Sequence, residues 1–176
     1  MTMHSGYNRK GLVFTTVQAW YSKDKKNKTR EYIELANKIL PFLKTKLNFS
    51  DDVKVVVSFT KGKRNLGWYN SAFNTAVIDS RQPYKRFINS MIHELVHAQQ
   101  HHLGQLAIET YRGGYSFFWN NKDFGKLPHS HAKYLALPWE VEARKVALEL
   151  TKEVLAFLNP ADSAFEEIEQ LIEKAL

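Results

Sequence analysis

Residues 86–103, RFINSMIHELVHAQQHHL, decide how the rest of the chain is read. At helical spacing Ile88, Met91, Ile92, Leu95, Val96 and Gln99 fall on one broad side. His93 and His97 stand four apart, so they share a face one turn from each other. This is His-Glu-x-x-His on a helix. Two imidazoles at i and i+4 are among the few pairs that a rigid helix can turn toward one Zn2+ ion, whose Zn–N bonds are about 2.0–2.1 Å. Glu94 then points beside the ion, placed as general base for a water whose pKa the ion lowers to roughly 7.

Length and composition set the frame around that helix. A chain of 176 residues with 44% hydrophobic residues suits one domain over 1–176 with a sizeable core. It has no cysteine, so disulfides and thiolate sites are excluded and any metal must take His and carboxylate ligands. The early apolar stretch GLVFTTVQAW at 11–20 is interrupted by Thr15, Thr16 and Gln18, and no small-residue cleavage site follows, which reads as mature sequence. No stretch approaches the roughly 18 apolar residues of a membrane span. A cytoplasmic protein without a membrane partner is expected.

The formal charge of +7 is unevenly placed. Residues 1–73 carry 14 Lys and Arg against five acids, and residues 139–176 carry four against nine. A basic half can attract nucleic acid. The run KDKKNK at 23–28, however, has no interleaved aromatic to stack on bases, so a solvated lysine-rich surface is the preferred reading.

Outward from the motif, RQP at 81–83 breaks the chain before the helix. AFNTAVID (72–79) and VKVVVSF (53–59) read as strands, with GKRNLGWYN (62–70) as the turn between them. A first helix runs from Arg30 to about Leu47 on Tyr32, Leu35, Ala36, Ile39, Leu40, Leu43 and Leu47, with Pro41 expected to end or kink it. KDKKNKT at 23–29 reads as a loop, and 12–20 as a strand or ordered lead-in. Downstream, Gly113 and Gly114 between two aromatic runs predict a hairpin, and KLPHSHAKYLALP (126–138) reads as loop. Pro138 opens a helix from Trp139 to about Leu158, closed by Asn159 and Pro160, and Ser163–Leu176 forms a last acidic helix.

Two histidines need a third protein ligand. His101 is eight positions from His93, about 12 Å along a helix axis, too far to share an ion with both motif histidines. In HExxHxxGxxH the Gly and last His positions are here Gln100 and Leu103, so that extension is absent. Glu140 and Glu142 remain on the 139–158 helix. Its apolar stripe, taken as Ala143, Val146, Ala147, Leu150, Val154 and Phe157, is flanked by the two acids at comparable angles, and periodicity does not choose.

HELVH at 93–97 followed by WEVEARKVA at 139–147 resembles the gluzincin side of the zincin metallopeptidases, and more narrowly the ImmA/IrrE-type and related phage-encoded enzymes. The matched segments are about 86–103 and 134–150. The gap between His97 and Glu142 is longer than in compact gluzincins, filled by the SFFWNN hairpin. In that pattern the glutamate directly before an alanine binds zinc, which implies His93, His97 and Glu142 as ligands, and the small Ala143 would let the two helices approach closely. The implied fold is α+β and zincin-like, a small mixed sheet packed on the motif helix with a downstream ligand helix. The implied activity is zinc-dependent hydrolysis of a peptide or protein, the substrate adding as a strand to an edge, for which Thr75–Asp79 is the candidate. For the oxyanion donor, Tyr111, Tyr134, His129 and His131 lie between the two helices, and Tyr134 is preferred. The alternatives are a three-histidine site through His129 or His131, resembling SprT-like DNA-linked proteases, and a non-catalytic zincin-like binding module.

Overall fold

A computed structural model describes residues 16–20, 26–59 and 66–159. Its order is β1 (Thr16–Trp20), α1 (Lys26–Leu47), β2 (Lys54–Ser58), β3 (Gly67–Asn70), a single 3-10 turn (Ser71–Phe73), β4 (Thr75–Asp79), α2 (Tyr84–His102), β5 (Leu106–Tyr111), β6 (Gly114–Trp119), β7 (Lys122–Gly125), α3 (His131–Leu135) and α4 (Pro138–Leu158). This is a mixed α+β protein with two small sheets and four helices among the described residues.

The first sheet has the order β1-β2-β4-β3. β1, β2 and β4 are parallel, and β3 returns antiparallel to β4. Val55, Val56 and Val57 of β2 are all buried. That accounts for a continuous β-branched run instead of alternation, because an inner parallel strand has no solvated side. α1 supplies the crossover between β1 and β2 and runs through Pro41 to Leu47 instead of ending there. Pro41 is exposed, while Leu40, Leu43 and Leu47 beside it are buried, so packing on the inner face carries the helix past its missing N–H. α1 also starts at Lys26, inside the stretch read as a loop.

The edge of this sheet is not where the sequence placed it. β4, expected to be an edge, lies between β2 and β3, and the edge strand on the α2 motif side of β4 is β3, drawn from the stretch read as a turn. Asn70 accepts from the Phe73 backbone N–H, and Asn74 adopts a left-handed φ of 46°. These two asparagines reverse the chain within the short 3-10 turn, and Trp68 then pairs with Val77 and Tyr69 with Ala76.

α2 packs along β4 and β3, and α4 packs on α2. Phe87, Ile88, Met91, Ile92 and Leu95 of α2 have no exposure at all, and Ala143, Ala147 and Val154 of α4 join the same core. The second sheet is the antiparallel meander β5-β6-β7. Its first hairpin is the expected one, and β7 was not anticipated. Asn120 and Asn121, both at positive φ, form the two-residue turn that pairs Trp119 with Lys122. Phe117, Trp119 and Phe124 of this sheet surround Trp139 at the start of α4. α3 is a short helix within the stretch read as loop. The helix expected over Ser163–Leu176 lies outside the described residues.

No helix among the described residues is long and apolar enough to cross a membrane.

Candidate metal centre

One turn of α2 carries His93 and His97, with their rings edge to face at 4.7 Å between centroids. Their Nε2 atoms are 3.2 Å apart. The carboxylate that meets them comes from the first turn of α4 and belongs to Glu140. Its Oε1 is 3.3 Å from His97 Nε2 and its Oε2 is 3.4 Å from His93 Nε2. Among the described residues, this is the group of three side chains that can hold a metal ion. A tetrahedral ion with bonds of about 2.0–2.1 Å requires neighbouring donor atoms roughly 3.3–3.4 Å apart, so the triangle fits one. The donor set fits too, since two imidazoles and a carboxylate suit a borderline ion such as zinc.

Glu142, expected as the third ligand, is not brought to the two histidines. Its carboxylate accepts from Gln100 Nε2 at 2.8 Å and is not among the converging groups. The reason lies in which residues of α4 are buried. The buried residues after its first turn are Ala143, Ala147, Leu150, Thr151 and Val154, whereas Val146 is half-buried and Phe157 exposed. Around the stripe the structure defines, Glu140 lies within about 40° of the centre and Glu142 about 120° away, at 100° per residue. Glu140 continues the three-and-four spacing of Ala143, Ala147, Leu150 and Val154 backward by one step. That signal was present in the sequence, and Val146 and Phe157 obscured it.

Glu94 is buried beside the triangle. Burial pushes its carboxyl above the ordinary carboxylate range, and the Glu140 charge adds to this. The neighbouring His97 and His93 and a backbone N–H donated by Tyr69 work the other way. Tyr69 belongs to β3, so the edge strand holds the Glu94 side chain in place. Gly67 of the same strand is the reason they fit. A Cβ there would stand 2.9 Å from Glu94 Oε1 and 3.0 Å from its Cγ.

Glu140 is held well below the ordinary range. Its burial opposes this, but hydrogen bonds from His93, His97 and Tyr134 and the nearby His97 charge outweigh it. His97 is also buried, which favours its neutral form, yet Glu140, Glu94 and Gln100 together raise its pKa. Tyr134 reaches the site from α3, donating its hydroxyl proton to Glu140 Oε1. Burial and the Glu140 charge raise the Tyr134 pKa, so the phenol stays protonated.

The remaining candidates are elsewhere. His129 and His131 are exposed and do not join the pair, and Tyr111 is 56% exposed. His101 packs against the Tyr69 ring at 5.5 Å between centroids. Sequence reasoning missed Gln100, which is fully buried and donates to both Trp139 O and Glu142 while its oxygen faces His97 Nδ1 at 2.9 Å. Its only signal was a polar residue three positions past a motif histidine.

No protein-family model matches this chain, and no curated protein or solved structure matches it either.

Proposed function

We propose that the chain is a zinc-dependent metallopeptidase of the zincin type, with His93, His97 and Glu140 as ligands and Glu94 as general base. The observation that carries this reading is the triangle of donor atoms at 3.2–3.4 Å with a buried carboxyl beside it. The likeness of HELVH and WEVEARKVA to the ImmA/IrrE-type and phage-encoded metallopeptidases supports it. So does the layout of three parallel strands with an antiparallel edge strand against the motif helix.

When bound, a zinc ion supplies Lewis acidity, acidifying a water and polarising a carbonyl. Glu94 takes a proton on its carboxylate and returns it to the leaving amine, and burial, which raises its pKa, favours holding that proton between the two steps. β3 orients Glu94 through the Tyr69 N–H. Tyr134 stays protonated and donates its hydroxyl proton to Glu140, so it steadies that ligand. α2 and β3 close the base off from bulk water.

Glu94→Gln leaves every ligand in place. Zinc content by elemental analysis should match the native protein, while cleavage of a peptide library should fall by orders of magnitude. Native-rate cleavage by this variant rejects Glu94 as the base. Stoichiometric zinc with no cleavage of any peptide by the native protein favours a metal-holding binding module instead.

A further inference from the structure

We propose that Gln100 and Glu142 act as a positioning pair that keeps a proton on His97 Nδ1, so that in the neutral ring the Nε2 lone pair is the one presented toward His93 and Glu140. The metal-binding consequence rests on the zinc reading above, whereas the tautomer itself is a property of the metal-free chain.

The argument begins with what Gln100 is allowed to do. Its side chain is fully buried, so each of its polar atoms must find its partner in the protein. Trp139 O, at 3.1 Å, and the Glu142 carboxylate, at 2.8 Å, are both acceptors, so the group facing them must be the amide NH2. The opposite orientation would set the amide oxygen against two oxygens and leave both of its N–H groups facing a single ring nitrogen. The network therefore assigns the oxygen to the His97 side, 2.9 Å from Nδ1. An amide oxygen only accepts, so His97 carries a proton on Nδ1 in its neutral and its charged forms alike. In the neutral ring Nε2 is then the bare nitrogen, and Nε2 is the atom 3.2 Å from His93 Nε2 and 3.3 Å from Glu140.

Glu142 secures the direction of the relay. Trp139 O alone engages one of the two amide hydrogens of Gln100; the Glu142 carboxylate engages the other with a charge-assisted bond. All four groups sit on α2 and α4, so the pair also ties the ligand histidine of one helix to the helix that brings Glu140. A partner that fixes a ligand histidine in this way typically changes metal affinity by about 10–100-fold when removed.

The test reads the tautomer directly. The protein is labelled with 15N-histidine and stripped of metal, and multiple-bond 1H–15N spectra are recorded at alkaline pH, where the rings are neutral. Native His97 should show the Nδ1–H pattern. Gln100→Leu should lose that preference and weaken Zn2+ binding about 10–100-fold in a chelator competition. Glu142→Gln leaves Gln100 in place and keeps a side-chain oxygen to accept from its amide NH2, so it should retain the pattern. Native-like amide shift dispersion in Gln100→Leu separates a lost tautomer preference from a lost fold. An Nε2–H pattern in native His97, or an unchanged Nδ1–H pattern in Gln100→Leu, overturns the proposal. If native protein shows Nδ1–H yet binds no zinc, the metal reading fails and the tautomer lock stands.

Discussion

The carboxylates of Glu140 and Glu142 leave α4 two residues apart and meet different partners, which makes them a matched pair of probes. On the zinc reading Glu140→Ala removes a ligand, and Glu142→Ala removes only the anchor of Gln100. Zinc affinity should therefore fall about 10–100-fold at most in Glu142→Ala and well beyond that in Glu140→Ala, as measured by chelator competition. The reverse order would restore the assignment suggested by family resemblance. His101 offers a second residue-level test, this one of pH. Burial, with the nearby His97, lowers its pKa from 6.5 to about 4. Between those values the unfolded chain takes up a proton that the folded chain refuses, so this contribution is complete above pH 6.5 and is lost as pH falls toward about 4. His101→Gln should flatten that part of the stability curve in urea titrations of metal-free protein, and an unchanged slope would rule out the shift.

At the scale of elements, β3 decides where Glu94 sits, and Gly67 is its point of contact. In Gly67→Ala the new methyl meets Glu94 and, at 3.3 Å, the Val77 carbonyl of the paired strand, so either the base or the edge strand must move. Overpacking of this kind costs about 1–3 kcal/mol. A displacement on the order of 1 Å at a catalytic group costs roughly 100-fold in rate. On the zinc-peptidase reading the variant should still bind zinc, melt lower and lose most of the activity, and a fully active Gly67→Ala would show that Glu94 is not held by this strand. This same element was illegible in the sequence. β3 begins at Gly67, one residue after the polar run GKRN, and its pairing depends on two asparagines that reverse the chain, features that also describe a turn. The helices α1, α2 and α4 were legible because each buries one long stripe at a period near 3.6. His93, Glu94 and His97 were legible because their spacing lies within one such helix. Glu140 was not, since its angle to the core depended on whether Val146 and Phe157 were inside, and only the packing of α4 on α2 settles that.

At the scale of the whole molecule, the site joins parts of the fold that are far apart in sequence. On the zinc reading two ligands would come from α2 and one from α4, while Glu94 is held by β3 and Tyr134 arrives from α3. The start of α4 is itself fixed by Trp139, packed among Phe117, Trp119 and Phe124 of the second sheet. An ion bound by His93, His97 and Glu140 would thus cross-link α2 to α4 in the native state alone, and its binding free energy would add to folding. At a free zinc concentration 100 times the dissociation constant the gain is about 2.7 kcal/mol. For a chain of this size that corresponds to a melting temperature raised by roughly 5–10 °C. The shift should vanish with a chelator and return with added zinc. Glu94→Gln should show it in full, because the base is no ligand, and Glu140→Ala should show almost none. Trp139→Ala should melt lower in both states, since it removes an anchor buried whether or not zinc is present, and its zinc response should shrink because the first turn of α4 no longer holds Glu140 against the histidines. A Trp139→Ala protein that melts lower but keeps the whole zinc-dependent rise would show that the second sheet stabilises the fold without positioning the ligand.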